Sequence, residues 1–416
     1  MKGIEEAVNL IEIGNVEQGL EAIDIVLPTC SDEEKFNIAE NLHKYGFLEK
    51  AKKIIDELLI RYPEEDELLI FKAEILIEIG EEENAISLLD AIDQNSPEYI
   101  HALLLLADLY QMQGLYEVSE AKLLLAKKMI PSESIIDFGL AELYAAQGEF
   151  KKSIEFYKLV QDSEVLGISV NQRLAESLSA SGLFEDALPF YEKALQDKFE
   201  INTLFGHGFT AYHAGYFKTA INKFTELKEI DPQYSSLYLF LAKAYEAEED
   251  DTSALQIIEE GLKVDEYNKE LYLKGGRVAL KVGEIAKSEV FFREAIAIDP
   301  GYIEAIVTLT KLFLNEERYE DVVECLNEVM SYGEYDPQFE WDLALSKNKL
   351  ELYSDALNHY NHAYTFFKDN IDFLQEYGYF LLEEGNREEA KKIFKHILKL
   401  DPSLIDIEEI VMQLEE

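Results

Sequence analysis

Apolar and polar residues follow a helical rhythm along this chain, and the rhythm restarts about every 34 positions. Each period holds two stretches of about a dozen residues with apolar side chains three and four apart, as in Ala187, Tyr191 and Ala194. That spacing builds one buried face of an α-helix. A glycine stands between the two stretches: Gly14, Gly46, Gly80, Gly114, Gly148, Gly182, Gly215, Gly283 and Gly385. The gaps are 32, 34, 34, 34, 34 and 33, then 68 and 102, which are two and three periods. Filling them puts Glu249, Glu317 and Glu351 at the same landmark and makes twelve units. Glycine suits the junction because it takes the left-handed conformation that ends a helix.

Seven residues before the landmark the side chain is alanine or glycine, from Ala7 to Gly378, with Thr310 the exception. Five after it, small residues such as Gly19, Ala51, Ser119 and Ala390 recur, broken by Val322. Nine after it comes a large apolar residue, as in Ile55, Leu89, Tyr157, Phe224 and Phe394. Small residues let two helix backbones approach, and the large one fills the remaining space. Seventeen after it fall six of the nine prolines, Pro63, Pro97, Pro131, Pro232, Pro300 and Pro402, expected to stop the second helix. One such hairpin cannot bury its own apolar face, so neighbours must stack.

This unit resembles the tetratricopeptide repeat (TPR). The motifs that carry the resemblance are Leu106-Ala107-Asp108-Leu109-Tyr110 before Gly114, Leu241-Ala242-Lys243-Ala244-Tyr245 before Ala254, Ala187 to Tyr191 to Ala194, and Phe292-Arg293-Glu294-Ala295 to Pro300. It covers residues 1–402, with a degenerate first unit, a unit around Gly215 one residue short, and Pro189 inside a second helix, where a mild kink is expected. The resemblance implies an all-α fold without strands: a right-handed superhelical α-solenoid of about twelve helix-turn-helix units with a C-terminal capping helix. The expected divisions are 1–198, 199–402 and a capping helix in 403–416, with Gly206, Gly208 and Gly215 marking 199–215 as a candidate hinge.

Charge narrows the partners. The 416 residues carry 38 Lys and Arg against 84 Asp and Glu, a net charge of −46. Such a field repels phosphate, which argues against direct nucleic-acid or anionic-membrane binding. The longest apolar run, Ala102 to Ala107, is far short of the ~20 residues a membrane span needs. No signal-peptide pattern is read at Met1-Lys2-Gly3-Ile4-Glu5-Glu6. Cys30 and Cys325 alone build no disulfide framework, so a reducing cytoplasm is expected.

TPR resemblance implies that first helices line a concave groove where partner proteins bind. The position six before each landmark, expected to face it, reads Glu40, Glu74, Asp108, Glu142 and Glu176, then Phe209, then Lys243, Arg277 and Lys311, then Leu345 and Tyr379. Five acids give way to three bases, all three expected to be exposed. Trp341, Tyr212 and Phe205 are placed near the same groove. Solvated ladders of like charge are the competing explanation. The Lys and Asn set with which some TPR proteins grip a C-terminal carboxylate does not occur in three consecutive units; Asn37 and Arg173 match it singly. Among the histidines, His207 pairs with His213 and His359 with His362; the second pair, three apart on one helix face, has the spacing to bind zinc but no evident third ligand. No catalytic constellation or cofactor site is legible. The expected function is a non-enzymatic adaptor for a protein with basic patches, such as RNA polymerase or a ribosome-associated factor. The alternative is a peptide-responsive cytosolic regulator of the TPR receptor type. Homo-oligomerisation stays open.

Overall fold

The computed structural model describes residues 2–415 and holds 25 α-helices among them. The chain divides into two compact units, Met1–Gly206 and His207–Glu416. In the first, α1 (Lys2–Glu12) pairs with α2 (Val16–Val26), α3 (Asp32–Lys44) with α4 (Leu48–Arg61), and α5 (Asp66–Ile79) with α6 (Glu82–Leu89). Next come α7 (Tyr99–Met112) with α8 (Tyr116–Met129), α9 (Ser134–Ala146) with α10 (Phe150–Tyr157), and α11 (Val170–Ala180) with α12 (Phe184–Asp197), which runs on through Pro189. The unit boundary falls inside α13 (Ile201–His213), which precedes α14 (Phe217–Ile230). In the second unit α15 (Ser236–Ala247) pairs with α16 (Asp251–Val264), and α17 (Lys269–Lys281) with α18 (Ile285–Ile298). Then follow α19 (Ile303–Asn315) with α20 (Tyr319–Ser331), α21 (Pro337–Lys349) with α22 (Tyr353–Phe367), α23 (Ile371–Glu383) with α24 (Arg387–Leu400), and α25 (Ile405–Glu415).

All twelve landmarks have positive φ, the three glutamates included, at 62° for Glu249 and 60° for Glu317 and Glu351. Their turns repeat the hydrogen bonds of the glycine turns. The amide after the landmark donates back to the first helix, Glu81 N to Leu76 O at 2.8 Å and Arg318 N to Phe313 O at 2.9 Å. A side chain in this conformation costs about 1 kcal/mol, a cost that packing on both sides overrides.

Proline is not what ends the second helix. α12 and α16 stop fifteen residues after their landmarks without one, at the same place as α4, α8, α14, α18 and α24, which have one two residues on. Conversely α6 ends at Leu89, well before Pro97, and α10 ends at Tyr157. After α10 the strand-free expectation is corrected. Glu164–Val165 and Ile168–Ser169 pair antiparallel around a two-residue turn whose residues, Leu166 at 51° and Gly167 at 79°, both have positive φ. Val165 is buried beside Phe138 and Leu174, so tertiary burial holds the chain extended here.

The interior is a relay of small cores, each shared by consecutive hairpins. One rule within it follows from size. Wherever a Phe stands nine after the landmark, the residue seven before it is glycine, and a Cβ there would meet the ring: Gly208 with Phe224 at 2.9 Å, Gly276 with Phe292 at 2.3 Å, Gly378 with Phe394 at 2.7 Å. All three pairs lie in the second unit. At the C-terminal end α25 buries Ile407 and Val411 in the core that holds Phe394 and Ile397, as a capping helix should.

Candidate functional site

The first helices of the first unit carry the acidic column, and most of it is tied down. Glu40 on α3 is exposed. Glu74 on α5 meets His101 of α7, Oε1 to Nε2 3.3 Å, and this hydrogen bond raises the imidazole pKa. Glu142 on α9 accepts from the Tyr157 hydroxyl and lies 3.3 Å from Arg173 Nε. Arg173 also donates to Glu176 on α11 at 3.1 Å, so one guanidinium is shared by two acids of the column. Gln172 Nε2 donates to Glu176 at 2.9 Å. Asp108 on α7 touches solvent yet is crowded enough that desolvation raises its carboxyl pKa.

Beside Asp108 the surface opens into a groove of about 470 Å³ between α7, α9 and the β-hairpin. Leu104, Leu105, Ile135, Phe138 and Ile168 form its apolar wall, while His101, Asp108, Gln111 and Glu142 add polar groups. Leu166 also lines it, at the hairpin tip, 79 % exposed and in the left-handed region. A large apolar side chain held in such a conformation at a groove is an outlier that packing alone does not require. Sequence reasoning overlooked this feature. The available signal was a two-residue Leu166-Gly167 link between Glu164-Val165 and Ile168-Ser169.

The second unit differs in kind. Phe209, Tyr212 and His213 of α13 pack on Phe240 of α15, with centroids 4.9, 6.1 and 6.4 Å away, and Lys243 Nζ sits 5.0 Å over the Phe240 ring. Arg277 on α17 donates to Glu304 Oε1 of α19 at 2.7 Å, and Lys311 is exposed on α19. Of the three bases expected to be exposed, Lys243 and Arg277 are half-buried, their charged ends held by a ring and a carboxylate. Lys274 and Lys281, which flank Arg277 along α17, join them and together clasp Glu246 of α15. Trp341 on α21 donates from Nε1 to Glu376 Oε1 at 3.1 Å, an oxygen that also accepts from Tyr360, and its ring edges against Phe367 and Phe373. It joins packing and surface. Leu345 is half-buried. Tyr379 is exposed, with its ring 5.4 Å from that of Phe394. Phe205, half-buried on α13, belongs to the first unit.

His359 and His362 face a buried acid. Glu340 Oε2 lies 2.7 Å from His359 Nδ1 and 3.6 Å from His362 Nδ1, and Lys347 Nζ is 3.0 Å from His359 Nε2. No group of three metal-ligating side chains with suitable geometry occurs among the described residues. A cleft of about 520 Å³ lies among α18, α19 and α20, where burial pushes the Cys325 thiol up to about 11 and so keeps it protonated. Among the described residues no helix is long and apolar enough to cross a membrane.

Family models agree with this architecture. Residues 111–165 match the YpiA-like tetratricopeptide repeats, 337–403 the YpiA-like C-terminal tetratricopeptide repeats, and 6–114 the ARM repeat of tetratricopeptide repeat protein 21. Among solved structures, the APC/C hetero-tetramer Cut9–Hcn1 is 11% identical, covering 99% of this chain and 95% of that one with a TM-score of 0.36. A tetratricopeptide repeat protein from Parabacteroides merdae is 20% identical, covering 60% and 98%, with a TM-score of 0.42. The TPR repeat-containing protein YpiA of Bacillus subtilis (strain 168) is 46% identical over 415 residues, 99% of this chain and 98% of that protein. With repeat spacing, hairpin geometry and full-length identity in agreement, the chain belongs to the YpiA-like tetratricopeptide-repeat family.

Proposed function

We propose that this chain is a non-enzymatic interaction scaffold, and that the groove between α7, α9 and the β-hairpin holds an apolar side chain of a partner protein flanked by Lys or Arg. The carrying observation is an apolar wall of Leu104, Leu105 and Phe138 beside the acids Asp108 and Glu142. Burying one such anchor is worth about 1.5–3 kcal/mol. Adjacent carboxylates would add selectivity and encounter rate for a cationic neighbour. Asp108 is the acid best placed for this, because no ion pair holds it among the described residues, whereas Glu142 already meets Arg173. A chain of net charge −46 favours basic partners at long range too. Machinery that handles nucleic acid, such as RNA polymerase or ribosome-associated factors, presents surfaces of that kind and is the class to test first.

The experiment is affinity capture with the full chain, the Leu105→Asp variant and the Asp108→Lys variant, at low and high salt. Partners lost from both variants and weakened by salt support the reading. Partners retained by both, or indifferent to salt, exclude this groove as the docking site.

A further inference from the structure

The second unit gathers cations on two facing helix stripes. Lys274, Arg277 and Lys281 are three and four residues apart and share one face of α17. Across from them, Phe240, Lys243 and Glu246 are spaced by three on α15, and the two helices are in contact. Glu246 is the acid held between them, clasped by both Lys274 and Lys281. Asp251 of α16 lies 3.9 Å from Lys281, and Glu304 of α19 pairs with Arg277. Lys243 has no acid partner among the described residues and rests on the Phe240 ring. His213 of α13 is also in range, and burial together with Lys243 lowers its pKa.

This concentration is unusual for a chain in which acids outnumber bases 84 to 38. The cations press on one another. Burial pulls the Lys274 ammonium down to about 8, with Lys281, Lys243 and Arg277 pushing the same way. A carboxylate arriving from outside would relieve that repulsion. Next to the cations, Phe209 and Tyr212 pack edge-on against Phe240, a half-buried aromatic cluster whose rim an aromatic guest would extend.

We propose that Lys243, Lys274, Arg277 and Lys281, beside the Phe240 ring, form a docking surface for an acidic protein segment that carries an aromatic residue. This surface is separate from the groove of the first unit and selects the opposite charge. Carboxylates, not a nucleic-acid backbone, are the fitting ligand. Glu246, Asp251 and Glu304 are interleaved with the bases and would repel a continuous row of phosphates, whereas spaced side-chain carboxylates avoid them. The overall charge of −46 disfavours a polyanion further.

The test is fluorescence anisotropy on the full chain with a labelled, N-acetylated and C-amidated Asp-Glu-Phe-Glu-Asp peptide. Blocking the ends leaves only side-chain carboxylates to read. Binding should exceed that of the uncharged Asn-Gln-Phe-Gln-Asn counterpart, blocked in the same way. It should weaken about tenfold in the double variant Lys243→Gln/Arg277→Gln, and less than twofold in the Lys218→Gln control on α14. Leu105→Asp in the first unit should leave it unchanged. Circular dichroism establishes that each variant is folded, and Phe240→Leu gives an independent loss without altering charge. Equal binding of the uncharged peptide, no loss in either patch variant, or tighter binding of a ten-nucleotide oligo-dT would each overturn the assignment.

Discussion

Two regions built on one repeat have spent their departures from it in different places. The first unit has glycine at all six of its landmarks but cuts α6 and α10 to eight residues each, and after α10 it inserts a β-hairpin beside an apolar groove. In the second unit α14, α16, α18 and α24 all have fourteen residues. Its departures are glutamate at three turns, glycine beneath three phenylalanines, and a cluster of bases where the first unit has acids. Irregular backbone makes a concavity in one unit, and side-chain chemistry on regular backbone makes a charged surface in the other. A helical repeat thus has two independent ways to acquire a site: breaking the frame or redecorating it.

Variants at the differing positions can break or sharpen this contrast. The largest effect is expected at Gly276. Adding a methyl there places Cβ 2.3 Å from the Phe292 ring, so Gly276→Ala should cost about 2 kcal/mol even after the gain in helix propensity. Adding Phe292→Ile should return part of it, because Ala242 with Ile258 is the arrangement one repeat earlier. Thermal denaturation followed by circular dichroism measures both; no loss in the single variant would mean that ring size does not dictate the glycine.

Next, replacing Glu249, Glu317 and Glu351 by glycine should stabilise the second unit by about 0.5–1 kcal/mol each, since glycine adopts positive φ without strain. An unchanged midpoint in the triple variant would show that those turns hold no strain. Leu166→Asn should add a few tenths of a kcal/mol by relieving the same strain at the β-turn while weakening partner capture. Higher stability with unaltered capture would remove Leu166 from the groove's function.

The smallest effect is titration of His101, whose pKa Glu74 raises above 6.5. A raised base stabilises the fold while protonated, so its contribution is complete below 6.5 and is lost as pH rises through the folded value. The stability difference between the wild type and His101→Ala should therefore shrink as pH rises above 6.5. A constant difference would mean that the Glu74 contact does not persist in solution.

Much of the frame was legible because its signals are local. A residue with positive φ, a small residue where helices cross and a large one opposite it are each specified within a few positions, and the recurrence of 34 exposes them even where Glu249 replaces glycine. Lys274 shows why the candidate sites were only half legible. Its partner Glu246 is 28 residues away on another helix, so neither its burial nor its companions can be read from its neighbours in the chain. Arg173 looked like an isolated match to a carboxylate clamp, but in the fold it is shared between Glu142 and Glu176 and offsets half of their charge. Columns of like charge read along a repeat ignore such cross-links, and Glu74, Glu142, Glu176 and Arg277 are all cross-linked.

By itself the amino-acid order determined the number of helical hairpins, the position of the turn inside each and the capping role of α25, because backbone conformation and helix-face periodicity are short-range properties. Only the tertiary structure decided where α6 and α10 end, that Val165 is drawn into an extended segment, and which charges remain available to a partner. Those outcomes depend on burial and on contacts between residues far apart in the chain, and their energies exist only once the helices have packed.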